Sequence, residues 1–509
     1  MSTSMVASDR PRFRWHLPNS IAEVELQICA DRACKQDVRS AVVRGTEHRW
    51  TSPLRRGPWF WRLRNRVADQ PVGDFSVTWQ FTVVGTAARD YSTHGVPDVN
   101  GDGLADLIVG VPLANAGQGR VLIYSGDSLD SPRWTLDPPT GAGGGFGSVV
   151  SCVGDLNGDG FAELAVSSSV DANPAGVVTL YWGSATGPTT ETAIVLRGAS
   201  SDERFGVSLE RAGDLNGDGY ADWVVTSLGG TWPTWLGGVW PIYGSAPGGT
   251  VRQSQVWRVL RSEYQFGRFV AAADLDDDGH TDLVAGGVWR GASGPAKVTS
   301  RPGFIATAQG GSQGLDLPGA RQLDARAFEN GFGGTGGFLG DRNGDGFPDL
   351  LVGVPNVNEV AYLLPSRPGG YMLPGIASWP RGTGSNTSGI LYRAGDLNQD
   401  GHEDWIRDLR TIQGLQSVPV GVQVVVSTEL GVNMLSDEGL RFPHGTVAAM
   451  ADYTGDNFAD LVIGDPTADS GAGVVHIFAG RVGGPSTTPT RTIRAPGAAP
   501  MGFGAALAR

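Results

Sequence analysis

The stretch D-L-N-G-D-G-F-A-E-L-A-V at residues 155–166 decides the fold, because its pattern recurs along the chain. The pattern is D-x-[N/D]-x-D-G-x-x-[D/E] followed by an apolar run, with one looser copy at the end. Its seven copies start at Asp98, Asp155, Asp214, Asp274, Asp341, Asp396 and Asp452. Six intervals separate the first start from the last, so one repeat is about 59 residues long. That length exceeds a one-hairpin solenoid unit and suits a four-stranded β-propeller blade with long loops.

The second repeat divides into four short strands. The first follows Phe146-Gly147 and ends at Gly154, and the others are Leu164–Val166, Gly176–Tyr181 and Ala193–Leu196. These runs are mostly apolar, contain β-branched or aromatic residues, and are separated by Gly, Pro or Asp. The pattern predicts an all-β fold in which seven repeats form a seven-bladed β-propeller.

The end of the chain predicts how the ring closes. In the second, third and fifth repeats, the Phe of Phe-Gly precedes the first loop Asp by nine residues, but the first repeat has Arg89 there. Residues 501–509 read M-G-F-G-A-A-L-A-R, which resembles a first strand without its loop. We therefore expect the C-terminal strand to complete the first blade and to remove exposed sheet edges.

Residues 1–86 differ from the rest and predict a small β-sandwich, which leaves residues 87–509 for the propeller. Val24, Leu26 and Ile28 alternate with polar residues, and aromatic strands follow at Trp59–Trp61 and Trp79–Val83. The segment Gly57–Arg64 resembles the late-strand signature of fibronectin type III domains. A sandwich of this kind usually serves as a spacer or docking module.

The longer repeats resemble FG-GAP repeats, the units of the integrin alpha-subunit β-propeller. The Phe-Gly half occurs at Phe146-Gly147, Phe205-Gly206, Phe266-Gly267 and Phe332-Gly333. The Gly-x-Pro half occurs at Gly110-Val111-Pro112, Gly353-Val354-Pro355 and Gly464-Asp465-Pro466. The resemblance implies a seven-bladed propeller with calcium in the hairpin loops. The sixth repeat lacks Phe-Gly, the seventh has Phe442-Pro443, and residues 286–330 are degenerate, so irregular blades are expected there.

The acidic loops have the composition of calcium sites. Calcium takes six to eight oxygen ligands, and alternate loop positions 1, 3 and 5 point such side chains inward. A backbone carbonyl at position 7 and a carboxylate at position 9 complete the expected set. The predicted ligands are Asp98, Asn100, Asp102, Leu104 and Asp106; Asp155, Asn157, Asp159, Phe161 and Glu163; Asp214, Asn216, Asp218, Tyr220 and Asp222; Asp274, Asp276, Asp278, His280 and Asp282; Asp341, Asn343, Asp345, Phe347 and Asp349; Asp396, Asn398, Asp400, His402 and Asp404; and Asp452, Thr454, Asp456, Phe458 and Asp460.

The seven loops are not equivalent. The fourth has four ligand carboxylates and should bind calcium most tightly, whereas the neutral Thr454 should weaken the seventh. An EF-hand requires Glu at position 12, and no loop has it; the first has Val109. At position 7, the side chains of His280 and His402 are expected to be free, because only the backbone carbonyl would bind.

Composition limits the class of partner. The 509 residues carry a net charge of −13, with 52 acidic against 39 basic residues, which argues against nucleic acid or an anionic membrane. No apolar run approaches the ~20 residues of a membrane span, and no leader is visible in residues 1–10. Cys29 and Cys34 are either bridged across a turn or unpaired, and Cys152 is expected in the core.

Candidate active-site residues are few. The seven histidines are scattered without metal-ligand spacing. Ser312 lies in a nominal Gly-x-Ser-x-Gly, but both flanks are typical of loops and not of a nucleophile elbow. Trp240 is expected in inter-blade packing, whereas Trp232 and Trp235 are equally consistent with packing and with stacking on a ligand.

These features favour a non-enzymatic, calcium-binding module that acts outside the cell in adhesion or binding of a protein or glycan. Free extracellular calcium suits loops of modest affinity. The first alternative is a structural subunit of a cell-surface assembly. The second is a propeller-based enzyme resembling polysaccharide lyases or phosphodiesterases, which would have to work from the propeller loops.

Overall fold

The structure is a computed structural model of an all-β protein, with two four-residue helical turns. It describes residues 4–6, 9–15, 23–45, 47–55, 57–67, 69–76, 78–83, 97–102, 104–168, 175–200, 202–229, 237–246, 251–259, 264–276, 278, 280–289, 303–324, 332–338, 348–354, 360–364, 387–395, 404–413, 416–425, 441–442, 446–454, 456, 458–481, 484–497 and 501–508. No helix in these ranges has the length and apolar character needed to cross a membrane.

Two sheets form the N-terminal part of the chain, here called the N-terminal sheets. Their strands are β1 (Ser4–Val6), β2 (Arg12–Arg14), β3 (Glu23–Cys29), β4 (Arg39–Arg44), β5 (Glu47–Arg49), β6 (Gly57–Val67), β7 (Gln70–Val72) and β8 (Trp79–Val83). The larger sheet has the order β1-β8-β6-β3-β4, with β7 beside β6, and β2 pairs with β5. Phe13 from β2 packs with Leu26 from β3 and Trp59 from β6 in one core. The likeness to fibronectin type III domains stays a prediction.

Seven antiparallel sheets follow in sequence. The first contains β9 (Leu107–Gly110), the turn α1 (Ala114–Gly117), β10 (Val121–Tyr124) and β11 (Trp134–Leu136). The second contains β12 (Val149–Gly154), β13 (Glu163–Ser168), β14 (Val177–Trp182) and β15 (Thr189–Arg197). The third contains β16 (Phe205–Gly213), β17 (Asp222–Ser227), β18 (Gly238–Tyr243) and β19 (Arg252–Gln253). The fourth contains β20 (Tyr264–Ala273), β21 (Asp282–Trp289), β22 (Phe304–Ala308) and β23 (Arg321–Asp324).

The remaining sheets are built in the same way. The fifth contains β24 (Thr335–Phe338), β25 (Leu350–Val354) and β26 (Val360–Leu364). The sixth contains β27 (Thr387–Gly395), β28 (Asp404–Gln413), β29 (Gln416–Val425) and β30 (Arg441–Phe442). The seventh contains β31 (Thr446–Ala451), β32 (Asp460–Asp465), the turn α2 (Ala468–Gly471), β33 (Val474–Phe478) and β34 (Arg491–Arg494), and the chain ends with β35 (Ala506–Leu507).

The second sheet confirms the predicted division into strands, since all four expected runs lie within β12 to β15. Its inner strand β13 is buried along its whole length, which explains why Leu164, Ala165 and Val166 form an apolar run rather than an alternating one. The expected irregularity of the fourth, sixth and seventh repeats is not seen in strand number, because all three sheets have four strands in sequence order. Three strands of the fifth sheet lie within the described ranges.

The Phe-Gly pairs join five of the sheets, the second to the fifth and, through Phe503, the first, to the sheet before. Five of these phenylalanines are fully buried: Phe146, Phe205, Phe266, Phe332 and Phe503. Each backbone carbonyl faces a glycine of the preceding sheet so closely that a Cβ there would lie 2.1 Å or less from the oxygen. These glycines are Gly119, Gly176, Gly237, Gly303 and Gly473. The repeated glycines are therefore required by the close approach of neighbouring sheets.

The C-terminal strand takes the same position as the other first strands. β35 pairs antiparallel with β9, with Ala506 opposite Gly110 and Leu507 opposite Val109. Phe503 packs in a core that combines residues of the first and seventh sheets. The first strands of successive sheets contact one another from β12 through β16, β20, β24, β27 and β31 to β35, and β35 also contacts β12.

Substitution of Gly119 tests whether the close approach matters, and Gly117 provides a matched control. Both glycines have positive φ, at +86° and +85°, but a Cβ on Gly119 would meet the Phe146 carbonyl at 2.1 Å whereas Gly117 faces open space. We expect Gly117→Ala to cost about 1–2 kcal/mol of unfolding free energy through backbone strain. Gly119→Ala should cost about 1–3 kcal/mol more through overpacking. Urea unfolding measures both, and equal costs would contradict the packing role.

Candidate metal sites

Each described acidic loop leads into the second strand of its sheet. The second loop runs from Asp155 to Glu163, which is the first residue of β13, and the third loop ends in the same way at Asp222 in β17. These two loops join a first strand to a second strand and are held at both ends, whereas the first loop leads into β9, whose first-strand neighbour is the C-terminal β35.

The predicted ligands fall into three groups. The second and third loops are described completely. In the first, fourth and seventh loops, one or two residues that are not predicted ligands lie outside the described residues. In the fifth loop Asp349 is described and buried, and in the sixth Asp404 is placed in β28. Eight predicted ligands lie outside the described residues: Asp341, Asn343, Asp345, Phe347, Asp396, Asn398, Asp400 and His402.

Side-chain oxygens at loop positions 1, 3 and 5 accept hydrogen bonds from backbone N–H groups of the same loop. In the second loop, Asp155 Oδ1 and Asn157 Oδ1 both accept the backbone N–H of Asp159, at 3.1 and 2.8 Å. Asp159 Oδ1 accepts the N–H of Phe161 at 3.1 Å. The third loop repeats these bonds, with 3.1 Å from Asp218 N–H to Asp214. These bonds place three oxygen-bearing side chains together before any ion is considered.

The position-9 carboxylate fastens the loop to the sheet. Asp222 Oδ2 accepts the N–H of Leu215 at 2.7 Å, and Oδ1 accepts the N–H of Gly244 at 2.9 Å, just beyond β18. The same two bonds are made by Asp106, Asp282 and Asp460 in their own loops. In Asp106, Asp222 and Asp282 each carboxylate oxygen keeps a second lone pair, so this anchoring is compatible with metal ligation. Both oxygens of Asp460 accept a further hydrogen bond from Thr454.

Glu163 keeps this arrangement only in part. Its Oε2 accepts the N–H of Leu156 at 2.5 Å, and the backbone N–H of Gly183 lies close enough to oppose the rise in its pKa, but Oε1 is buried without a hydrogen bond of normal geometry. Carboxylate oxygens of Asp155, Asp159 and Glu163 lie within 4.8 Å of one another. A buried carboxylate oxygen without a well-formed hydrogen bond is costly, and a cation between these three groups would satisfy it.

The fourth loop forms a second cluster of this kind. Oxygens of Asp274, Asp276 and Asp282 lie within 4.8 Å of one another. Asp276 Oδ2 accepts a hydrogen bond from Gln309, whereas its Oδ1 is buried without a hydrogen bond of normal geometry from the described residues, although the backbone N–H of Asp278 lies close enough to oppose the rise in the pKa of Asp276. That this loop binds calcium most tightly stays a prediction.

Burial makes the carboxylates of the loops hard to ionise. It raises the pKa of Asp106 to about 8, and the charge of Asp98 adds to the effect. Burial likewise raises the pKa of Asp282 and of Asp460 to about 7, and the pKa of Glu163 well above its ordinary value. Like charges in a dehydrated site repel, and a divalent cation reverses that repulsion.

The seventh loop is arranged differently. Thr454 donates both its backbone N–H, at 2.8 Å, and its hydroxyl, at 3.4 Å, to Asp460. The hydroxyl is thus directed to the anchoring carboxylate. Asp456 is exposed, and its Oδ1 accepts the N–H of Phe458 at 2.9 Å. This geometry supports the expectation that the seventh site is weaker.

Position-7 side chains connect neighbouring loops, which the sequence prediction missed. The Phe161 ring covers Gly101 of the first loop so closely that a Cβ there would lie 2.6 Å away, and His280 covers Gly217 in the same way. The expectation that the His280 side chain is free is therefore wrong; its Nδ1 also lies 3.3 Å from Asp278 Oδ1. Glycine at position 4 and an aromatic ring at position 7 are the signal that could have revealed this contact.

The backbones of neighbouring loops are also joined. The N–H of Ala162 in the second loop donates to the carbonyl of Asp98 at 3.0 Å, and Thr281 donates to Asp214 at 2.9 Å. Neighbouring loops are therefore bonded side by side through their backbones.

The other sequence candidates have structural roles where they are described. Trp240 is buried, stacks edge-on against Phe205 at 5.6 Å, and donates its Nε1–H to Ser227, which confirms the packing interpretation. Ser312 lies in a turn between β22 and β23, and no helix occurs in residues 303–324. Cys152 is buried and unpaired, as expected. Trp232 and Trp235 lie outside the described residues.

Comparison with known proteins identifies repeats of a known type. Residues 98–166 match the FG-GAP-like repeat, and residues 444–478 match the FG-GAP repeat. These two segments contain the first, second and seventh acidic loops. Each matched segment includes an acidic loop that lies between two strands of one sheet, β12 and β13 in the first segment and β31 and β32 in the second.

Integrin alpha subunits are similar over part of the chain. Integrin alpha-7 of Rattus norvegicus is 38% identical over 155 residues, which cover 29% of this chain and 13% of the integrin. Integrin alpha-PS2 of Drosophila melanogaster is 30% identical over 166 residues, which cover 28% of this chain and 12% of the integrin. The chain spans only about an eighth of these relatives in the matched region. It carries FG-GAP-like repeats and is similar to integrin alpha subunits over less than a third of its length.

Proposed function

We propose that this chain is a calcium-binding β-propeller that acts as a non-enzymatic binding or adhesion module for a protein or glycan outside the cell. The observation that carries the metal assignment is the cluster of Asp155, Asp159 and Glu163, whose carboxylate oxygens lie within 4.8 Å of one another while Oε1 of Glu163 is buried without a hydrogen bond of normal geometry. All ligands in this cluster are oxygens, which is the donor set of calcium rather than of zinc or copper.

The propeller in this proposal has seven blades over residues 87–509 and is preceded by a sandwich over residues 1–86. Three observations support ring closure: the pairing of β35 with β9, the continuous series of contacts between first strands, and Phe503 facing Gly473 as Phe146 faces Gly119. Closure would leave no unpaired first-strand edge exposed to another chain.

Calcium would be held by the residues predicted in each loop, in up to seven sites. The second and fourth loops have the strongest support, because each gathers three carboxylates within 4.8 Å. Bound calcium would compensate the repulsion among the carboxylates and order the face of the molecule on which the loops lie. Most of the excess negative charge would then belong to carboxylates that bind calcium rather than to a surface that binds an external partner.

An extracellular location agrees with the disulfide between Cys29 and Cys34, since disulfides persist in oxidising compartments. The integrin alpha subunits to which the chain is similar provide the precedent for an adhesion role. Because only a small part of those proteins is matched, the ligand of this chain is left open between protein and glycan.

Calcium titration by calorimetry tests the metal assignment. We expect Asp159→Ala to remove one tight site, because Asp159 is one of three clustered carboxylates, whereas Asp456→Ala in the weaker seventh loop should leave the number of tight sites unchanged. Equal effects of the two substitutions would contradict the ranking of the loops. No calcium binding by the unsubstituted protein would overturn the metal assignment.

Binding to a ligand is tested on arrays of glycans and of purified extracellular proteins, with calcium and with a chelator. The binding-module proposal expects at least one ligand that is retained with calcium and lost without it. No binding in either condition, together with a large homogeneous assembly in light scattering, would instead favour a structural subunit of the cell surface.

A further inference from the structure

A disulfide-closed turn of the N-terminal sheets carries an arginine to the acidic loops. Cys29 and Cys34 are bridged, with their Cα atoms 5.0 Å apart, so the turn that was one of the two sequence alternatives is present. Asp31 stabilises this turn, because its Oδ1 accepts the N–H groups of Lys35 and Gln36 at 2.7 and 2.6 Å. Arg32 lies in the turn that these bonds define.

The Arg32 guanidinium is bound by groups from both parts of the chain. Its Nη1 donates to the carbonyl of Gly219 in the third acidic loop at 2.7 Å and to the carbonyl of Thr78 at 3.2 Å. The guanidinium carbon lies 4.1 Å from the ring centroid of Tyr220 and 5.3 Å from that of Phe60. Hydrogen bonds and cation–π contacts thus act on the same group.

The acidic loops provide space for this arginine. A Cβ on Gly158 of the second loop would lie 2.6 Å from Arg32 Nε, and a Cβ on Gly219 would lie 2.7 Å from the Thr78 carbonyl. Both glycines are therefore needed for the N-terminal sheets to approach. The carboxylates of Asp155, Asp218 and Asp214 also interact favourably with the guanidinium charge.

This arrangement departs from that of the neighbouring loops. Phe161 covers Gly101 directly and His280 covers Gly217 directly. Between the second and third loops, however, Arg32 lies over Gly158 and is itself stacked on Tyr220. The arginine therefore occupies a gap between two loops that elsewhere is filled by the position-7 side chain.

We propose that the second and third acidic loops form a guanidinium-binding site, and that Arg32 docks the N-terminal sheets on the propeller by occupying it. The Cys29–Cys34 disulfide closes the turn that holds Arg32 in position, and the docking requires this disulfide. Removing the guanidinium takes away the hydrogen bond that Arg32 donates to the carbonyl of Gly219 and the cation–π contact with Tyr220. The proposal does not depend on whether the loops hold calcium.

Distance measurement between two spin labels tests the docking in the full chain. The labels are placed on cysteines introduced at Val42 and Val195, which are 55% and 37% exposed, one on the N-terminal sheets and one on β15. Cys152 does not compete for the label, because it is fully buried and burial raises the pKa of its thiol. The protein with Arg32 should give one narrow distance peak.

We expect Arg32→Ala to replace that peak with a broad distribution. Tyr220→Ala should do the same while leaving every residue of the N-terminal sheets intact, which separates lost docking from local unfolding. The control is Arg44→Ala, which removes an arginine whose side chain is 81% exposed and paired with Glu23 of the same sheets; it should leave the peak narrow.

A variant with Cys29→Ser and Cys34→Ser tests the role of the disulfide, and we expect it to broaden the distribution as Arg32→Ala does. A narrow peak in both Arg32→Ala and Tyr220→Ala would overturn the proposed docking. A narrow peak in the double cysteine variant alone would overturn the part assigned to the disulfide. Repeating the measurement with a chelator keeps this result separate from that of calcium binding.

Discussion

Deleting residues 501–509 should abolish most of the stability of the propeller. The deletion removes Phe503, which is fully buried in the core between the first and seventh sheets, and the two residues that pair with β9. A buried Phe→Ala change alone costs about 3–5 kcal/mol. A whole domain is stable by only about 5–15 kcal/mol, so loss of the entire strand should approach that total. Thermal unfolding followed by circular dichroism measures the effect.

A pair of point variants makes this prediction specific. Phe503→Ala and Phe146→Ala remove the same side chain from positions that face equivalent glycines, Gly473 and Gly119. If the C-terminal strand joins the first sheet as firmly as an internal strand joins its own, both variants should lose a similar unfolding free energy. A negligible cost for Phe503→Ala, with a large one for Phe146→Ala, would show that the ring is open.

Removal of calcium should produce the second large loss of stability. A ligand at a concentration 100-fold above its dissociation constant stabilises the folded state by about 2.7 kcal/mol for each site. With several loops occupied, chelation should lower the melting temperature strongly in scanning calorimetry. Magnesium at the same concentration is the control, since it prefers octahedral sites with retained water and should restore less. Identical melting curves with calcium and with chelator would contradict the prediction.

The pH dependence of the chelated protein should follow from the same carboxylates. The folded-state pKa of Asp106 is raised to about 8, and that of Asp282 and Asp460 to about 7, from 3.8. At pH values between the ordinary pKa and these raised pKa values, the folded state binds more protons than the unfolded state. The free energy of unfolding therefore falls as pH rises. The chelated protein should therefore be most stable on the acidic side of this window. Calcium should remove the dependence by holding the carboxylates ionised.

Local features of the fold could be predicted from the sequence. Each sheet is made of strands that are neighbours in the chain, so the apolar runs and turn residues of residues 146–196 were sufficient to predict β12 to β15. The acidic loops were predictable for the same reason, because their ligand positions are set by spacing within nine residues. The second and third loops lie between the first and second strands of their sheets, in agreement with that expectation.

Contacts between distant parts of the chain were harder to predict from the sequence. The sequence left the pairing of Cys29 and Cys34 open, because a turn and an extended strand were both compatible with their spacing. The contact between the His280 ring and Gly217 depends on how two neighbouring loops lie side by side. The sequence of a single repeat does not specify that arrangement.

The repeat pattern alone thus determined the short strands of the second repeat and the oxygen-rich loops, because both arise from residues close together in the chain. The tertiary structure decided which loop oxygens are buried without a hydrogen bond of normal geometry, as at Glu163, and where Arg32 lies. Burial and stacking depend on groups that folding brings together from far apart; Arg32 and Gly219 are 187 residues apart in the chain. Spacing within a repeat carries no information about such pairs.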